Sequence, residues 1–429
     1  MTGALSRRSL LDLACRAAGA ALLVPAASAD DCKAARPGRE FTDSVGVCIN
    51  LAGDFYRDQL PRLCSLLSES RIRHIRVAPL PGLQLDRWRA LQTIPGLRWH
   101  LLASPLTNTV PQLLNLMAEL GLDRCSAVEG QNEGDGYFKT QPAARGDWSG
   151  TVVAFQRDLY EAVRRVCPAA MLPVVSPTLL DWRPGDVSLI RPAAGFCDVV
   201  GLHAYMQHSQ EPETDEDYSG LRWYVRNYRD SFKPGAPMMV TETGYTNTTG
   251  PGRHGISELA SSIYLPRLLL HNFGAGVRRT FLYAFMDAGQ DPGDNEHHYG
   301  IVRFDGNPKP EYGCIRALLE ALADDGVPSR QRRSLRLSFP DAPPGMRRQI
   351  FALPYGGVVV ALWQPARVWD ADRGLDLEPP PTLVSVSAPG ALQAEQMTLD
   401  SHATWRPVVL AGGRTALPVR ARVTLLRLT

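Results

Sequence analysis

Two glutamates at the ends of apolar runs are the residues best placed to do chemistry. Ala127-Val128-Glu129-Gly130-Gln131-Asn132-Glu133 closes an apolar run with an Asn-Glu pair, and Gly134-Asp135-Gly136 follows at once. Met238-Met239-Val240-Thr241-Glu242-Thr243-Gly244 carries Glu242 at a comparable point. A carboxyl group where a buried parallel strand stops occupies the position from which a barrel enzyme works. Two such groups facing each other suit glycoside hydrolysis, one protonating the leaving oxygen while the other attacks or activates water. Carboxyl groups about 5–5.5 Å apart lead to retention through a covalent intermediate, and roughly 6.5–9.5 Å leads to inversion. Taken alone, the Glu133 segment also reads as a turn signal with a solvated glutamate.

What must position them is a repeating β-α pattern. Apolar runs begin at Val45, Ile72, Trp99, Ser126, Leu172, Asp198, Met238 and Thr280, each followed by a helical pattern or an interval long enough for one. The helical patterns include residues 55–68, 86–93, 111–120, 150–166, 221–228, 257–273 and 311–324, with Ser257 a good N-cap. Eight parallel β-α units are the specification of a TIM barrel, (β/α)8. No glycine-rich phosphate loop follows any of the runs, which disfavours a doubly wound open sheet. In the barrel reading Glu133 ends strand four and Glu242 ends strand seven, so both point into one mouth.

Beyond Gly326 the runs shorten and turns rich in Pro and Gly separate them, as in residues 335–337, 349–353, 357–363, 382–387 and 420–428. That texture predicts a C-terminal all-β sandwich packed on the barrel. The expected organisation is an export signal over 1–29, a catalytic barrel over 30–326 and a β-sandwich over 327–429.

The composition of the 429 residues, 44% apolar and 21% charged with a net charge of +2, is that of a globular chain long enough for a large domain and a smaller one. Nearly all the basic residues are scattered arginines, which gives no footprint for nucleic acid. Ser6-Arg7-Arg8-Ser9-Leu10-Leu11, a weakly apolar stretch and Ala27-Ser28-Ala29 resemble a twin-arginine signal cleaved before Asp30. Asp12 and Arg16 interrupt the apolar stretch, so no membrane anchor is expected after signal removal, and the mature chain should be a periplasmic or extracellular monomer. Of the eight cysteines the signal removes Cys15, and in an oxidising compartment Cys32 with Cys48, or Cys167 with Cys197, are candidate disulfides. The cysteines match no zinc spacing, and His297-His298 lacks an evident third ligand, so neither metal nor cofactor is expected.

The set Arg76 after strand two, Asn132-Glu133 after strand four, His203-Ala204-Tyr205 on strand six and Glu242 on strand seven resembles the clan of retaining TIM-barrel glycoside hydrolases. The β-xylosidase and α-L-iduronidase group, which also carries a β-sandwich, and the cellulase-like families are the close comparisons. The resemblance covers roughly residues 40–325. It implies Glu133 as acid/base, Glu242 as nucleophile and a carbohydrate substrate. It further implies that Asn132 binds a sugar 2-hydroxyl, that Arg76 and Tyr205 keep the nucleophile ionised, and that His203 lines its site. The clan often ends strand eight with a Trp under the sugar, where this chain has Tyr283-Ala284-Phe285, so Tyr283 or Phe285 is expected to supply that floor. Two other functions share these residues: a barrel that binds carbohydrate without cleaving it, and a transglycosylase that differs only in its acceptor.

Overall fold

A computed structural model describes residues 35–79, 85–140, 146–206, 209–214, 220–250, 253–323, 335–354 and 356–429. The expected export signal and Cys32 lie outside the described residues. Among the described residues, no helix is long and apolar enough to cross a membrane.

Eight parallel strands form one sheet: β1 (Val45–Cys48), β2 (His74–Val77), β3 (Arg98–Leu102), β4 (Cys125–Glu129), β5 (Val174–Val175), β6 (Val200–His203), β7 (Met238–Thr243) and β8 (Thr280–Leu282). Their order is β5-β4-β3-β2-β1-β8-β7-β6. A parallel bridge between Val175 and Val199 joins the two ends and completes the (β/α)8 barrel. The strands read as almost unbroken apolar runs because parallel strands of a barrel are covered on both faces. Around them run α1 (Leu60–Glu69), α2 (Leu85–Gln92), α3 (Val110–Leu120), α4 (Trp148–Val166), α5 (Pro184–Ile190), α6 (Gly220–Tyr224), α7 (Glu258–Gly274) and α8 (Pro310–Leu322).

Local chemistry sets the helix ends. Thr109 and Gln112 form a reciprocal capping box at the start of α3, and Ser257 Oγ accepts the Ala260 N–H at 2.9 Å at the start of α7. The single helix expected over 55–68 is instead two, Asp54–Asp58 and α1. Pro61 has no N–H to continue the first helix but suits the opening turn of the second. The helix expected over 221–228 widens after α6 into a π-turn at Val225–Arg229.

Inside the barrel the floor beneath the mouth is Phe281, which is fully buried. A Cβ on Gly46 would lie 2.5 Å from its ring and 3.0 Å from the His74 carbonyl oxygen, so only glycine lets β1 pass this close.

The C-terminal strands are β9 (Arg347–Ala352), β10 (Val358–Trp363), β11 (Thr382–Ser387), β12 (Ala394–Thr398), β13 (Arg414–Val419) and β14 (Thr424–Leu428). One sheet runs from Arg36–Pro37 through β9-β10-β14-β12 to Arg406–Pro407, and β11 pairs with β13 as a second. Alternation along β10 explains its wholly apolar sequence. Val358, Val360 and Leu362 join the core shared with Val384, Val386, Leu417 and Val419 of the second sheet. Val359, Ala361 and Trp363 face the other way and join the core of the barrel helices. Burying each large side chain there contributes about 1.5–3 kcal/mol, which fastens the sheet to the barrel.

One buried ion pair adds to that junction. Arg267 of α7 donates through Nε to Glu213 Oε1 at 3.0 Å and through Nη2 to Glu213 Oε2, and through Nη1 to the Ala366 carbonyl at 2.8 Å. The Trp363 indole N–H donates to the same Glu213 at 2.6 Å. Glu213 lies in the loop after β6, so this knot ties a loop of the barrel mouth to the C-terminal sheet. Truncation of Glu213 to alanine strands a fully buried guanidinium, and we expect a loss of about 3–5 kcal/mol in denaturant unfolding.

The disulfide expected between Cys167 and Cys197 does not form. Both thiols are free, as are those of Cys48, Cys64, Cys125 and Cys314. Cys197 lies in the core between α5 and α6, whereas Cys167, at the end of α4, packs at the edge of the main core.

Candidate active site

Parallel register builds the site. Cys48, Arg76 and His100 are direct neighbours across β1, β2 and β3, so their side chains enter the barrel at one level. Arg76 is 4% exposed and divides its donors among three side chains at the ends of two strands, β4 and β7. It donates to both Glu129 oxygens at 2.7 and 2.9 Å, to Glu242 Oε1 at 2.6 Å and to Asn132 Oδ1 at 2.7 Å. Only a planar fork with five donors can hold β4 and β7 in this way. His100 Nε2 donates to Glu129 at 2.8 Å from a ring set edge-on to Phe281. Burial alone would raise the Glu129 carboxyl, but Arg76 and His100 outweigh it and hold it well below the usual carboxylate range.

Bulges aim the other carboxylates. The β6–β7 register shifts between Leu202 and His203, which sets His203 beside Glu242, and a second shift follows Val240 on the β8 side. Glu133 sits just past β4 with φ 44°, a left-handed conformation that costs a non-glycine residue of order 1–3 kcal/mol. Its carbonyl accepts the Gly136 and Tyr137 N–H groups at 2.9 and 3.0 Å, which anchors that turn.

The two glutamates converge. One ligating atom each from Glu133, His203 and Glu242 lies within 4.8 Å of the others. His203 Nδ1 donates to Glu133 Oε1 at 2.8 Å and lies 3.6 Å from Glu242 Oε2. Burial would lower the His203 pKa, but Glu242 and Glu133 together raise it, so the ring favours its proton. Tyr205 OH donates to Glu242 Oε2 at 3.1 Å, and burial, then Glu242, push its phenol well above the usual range. Both Glu242 oxygens therefore have a donor.

Those three residues could also offer a cation three ligands. That would require His203 Nδ1 to give up a proton its surroundings favour, while Arg76 already supplies positive charge to Glu242. His297 and His298 instead engage residue 291: the Asp291 N–H donates to His297 Nδ1 at 3.2 Å, and His298 Nε2 donates to the Asp291 carbonyl at 2.8 Å.

Arg76, Asn132, Glu133, His203, Tyr205 and Glu242 thus share one cleft, and the two floor candidates part company. Tyr283 remains partly exposed and stacks edge-on with Tyr299 at 5.5 Å, while Tyr299 in turn meets Tyr205 at 5.8 Å. Phe285 is fully buried in the core and presents no surface to the cleft. Asn132 spends its carbonyl on Arg76, which leaves its NH2 as the donor for a ligand.

Sequence reasoning passed over Glu129 and Glu296, and it offered Trp182 as an aromatic for sugar stacking, whereas the side chain is buried. Glu129 looked like one more residue of an apolar run, yet a carboxyl inside a strand is itself the signal of a buried cation partner. Glu296 accepts from Tyr283 OH at 3.1 Å. Burial, with Glu242 and Glu133 nearby, raises its pKa against the effect of that hydrogen bond. Trp182 packs edge-on against His203 at 6.2 Å and fixes the ring from behind.

No protein-family model and no curated protein matches the chain. Solved structures do. A family 39 glycoside hydrolase from the gut symbiont Bacteroides cellulosilyticus WH2 is 15% identical, with a TM-score of 0.59 over 92% of this chain and 81% of that one. A glucosidase from Croceicoccus marinus is 11% identical, with a TM-score of 0.56 over 85% of this chain and 91% of that one. The chain shares their fold.

Proposed function

We propose that the chain is a glycoside hydrolase that cleaves O-glycosidic bonds with retention, with Glu242 as nucleophile and Glu133 as acid/base. The observation that carries this reading is that one carboxylate oxygen of Glu133 and one of Glu242 lie within 4.8 Å of each other across the barrel mouth, with Arg76 and Tyr205 bound to Glu242. So short a separation leaves no room for a water beneath the sugar and favours direct attack.

In the first step Glu242 attacks the anomeric carbon while Glu133 gives its proton to the departing oxygen, and a glycosyl ester forms. Glu133 Oε1 is occupied by His203, so Oε2 carries the transferred proton. In the second step Glu133 takes a proton from water, the water oxygen attacks the anomeric carbon and Glu242 leaves as carboxylate. Arg76 and Tyr205 stabilise that leaving carboxylate. Tyr283 and the amide of Asn132 are assigned to sugar contacts. The motif at residues 6–29 supports export by the twin-arginine route.

Proton NMR of the first product from an activated aryl glycoside tests the mechanism. We expect the starting anomeric configuration before mutarotation; an initially inverted sugar would overturn the assignment of Glu242, and a broad panel with no hydrolysis would overturn the function.

A further inference from the structure

We propose that a second cleft on the rim of the barrel mouth binds an anionic substituent of the glycan substrate, a carboxylate or a sulfate ester. The cleft, about 570 Å³, lies between the loops that follow β6 and β7 and the hairpin that follows β10. Its walls include Ser209, Arg253, His254, Arg367, Trp369 and Arg373, and among the described residues Asp372 is the one acidic side chain in the lining. Three arginines, with Asp372 in the lining and Glu211 and Asp370 beside two of them, offer more guanidinium donors than those carboxylates occupy, which suits an anion.

The guanidinium groups are not used up within the protein. Arg367 is 3.6 Å from Glu211 and Arg373 is 3.8 Å from Asp370, both beyond hydrogen-bond length. Arg253 donates to the Gly293 carbonyl. Among the described residues none of the three donates a side-chain hydrogen bond to a carboxylate, so their forks keep donors for a bidentate oxyanion.

The walls are also pre-formed. Ser209 Oγ donates to the His254 and Gly255 carbonyls at 2.7 and 3.2 Å, joining the two barrel loops. The Val368 N–H donates to Tyr264 OH of α7 at 3.0 Å, and Trp369–Asp370 pairs with Leu375–Asp376 to hold the hairpin. A site built this way loses little entropy on binding.

Assigning the cleft to the substrate rests on the glycosidase reading, because the same loops lead back to His203 and Glu242. It also separates two parts of that substrate. Glu133, Glu242 and Glu296 crowd the reacting position with carboxylates, which disfavours an anionic sugar there. The negative group therefore belongs on a residue removed from the bond that breaks.

Three fluorescent hexasaccharides test this with the full mature chain: a neutral oligomer ending in a single glucuronic acid, the same oligomer with that carboxyl reduced to an alcohol, and the reduced oligomer with a single sulfate ester on that terminal residue. We expect at least one anionic form to bind tenfold or more tightly than the neutral one, and the two anionic arms identify which group is taken. The double variant Arg367→Ala/Arg373→Ala should lose that preference while still hydrolysing a small neutral aryl glycoside at the parent rate. If the double variant does not fold, Arg373→Glu serves, because that side chain is 68% exposed. Equal binding of all three oligomers, no binding, or a preference that survives substitution would overturn the proposal. Anion preference without hydrolysis of any glycoside would overturn the glycosidase reading and leave the cleft assigned.

Discussion

Glu242→Ala should reduce turnover of an aryl glycoside by about 10⁴-fold or more while leaving the unfolding transition in place, as losses of a covalent nucleophile do. The fold should survive because Arg76 keeps Glu129, to which it makes two hydrogen bonds, when its bond to Glu242 is lost. Azide makes the result diagnostic. In the space left by the carboxylate it can attack the anomeric carbon directly, giving a glycosyl azide of inverted configuration with partial recovery of rate. In Glu133→Ala it should instead intercept the glycosyl ester and give a retained product. Undiminished turnover in Glu242→Ala, or recovery with the two stereochemical outcomes exchanged, would remove the assignment.

Arg76→Met should cost stability and activity together. Without the guanidinium, Glu129, which has no exposed surface, and Glu242 lose the cation they share and keep only the hydrogen bonds from His100 and Tyr205, a loss of about 3–5 kcal/mol at neutral pH. Activity should fall by roughly 10²–10³, the usual effect of removing one donor from a developing or departing charge. The sign of the pH dependence follows from Glu129. Its folded-state carboxyl lies below the ordinary value of 4.5, so its stabilisation is complete above that value and is lost as pH falls through the lowered one. In the variant the same carboxyl protonates readily and no longer opposes folding in acid. The stability gap between parent and variant should therefore be widest near neutrality and narrow towards pH 4, as urea titrations at several pH values would show. A constant gap would mean that Arg76 acts by packing alone.

The contrast between Glu129 and Glu133 shows what the sequence could disclose. Each barrel strand was legible because its apolar run and the following helical period are local signals, and Arg76 and Glu242 stood out as charges against such runs. Glu129 is as close to those runs, but its meaning depends on Arg76 arriving from β2, a contact made only when the barrel closes. Glu296 is harder still, since nothing local brings a loop after β8 over the carboxylates of β4 and β7. The rim cleft has walls from three distant segments, and arginines read singly as surface charge have no collective signature. The cysteines misled for a related reason, because spacing along the chain carries no information on which core each thiol enters. Phe285 misled at closer range: one aromatic faces the cleft and its neighbour two residues on fills the core.

The short pairing of Arg36–Pro37 with Phe351–Ala352 has a consequence for how this chain can be cut and exchanged. Almost the whole barrel is threaded between those two partners, so it is an excursion from a sheet whose edge was laid down first. Closing so long a loop costs only about 2 kcal/mol more than closing one a tenth as long, so the arrangement is thermodynamically inexpensive. Its effect is on modularity. A boundary drawn after α8 divides the sequence tidily and still leaves the first strand of the sheet attached to the wrong piece. The excursion begins after Pro37, and a graft that honours the sheet must carry both of its distant margins.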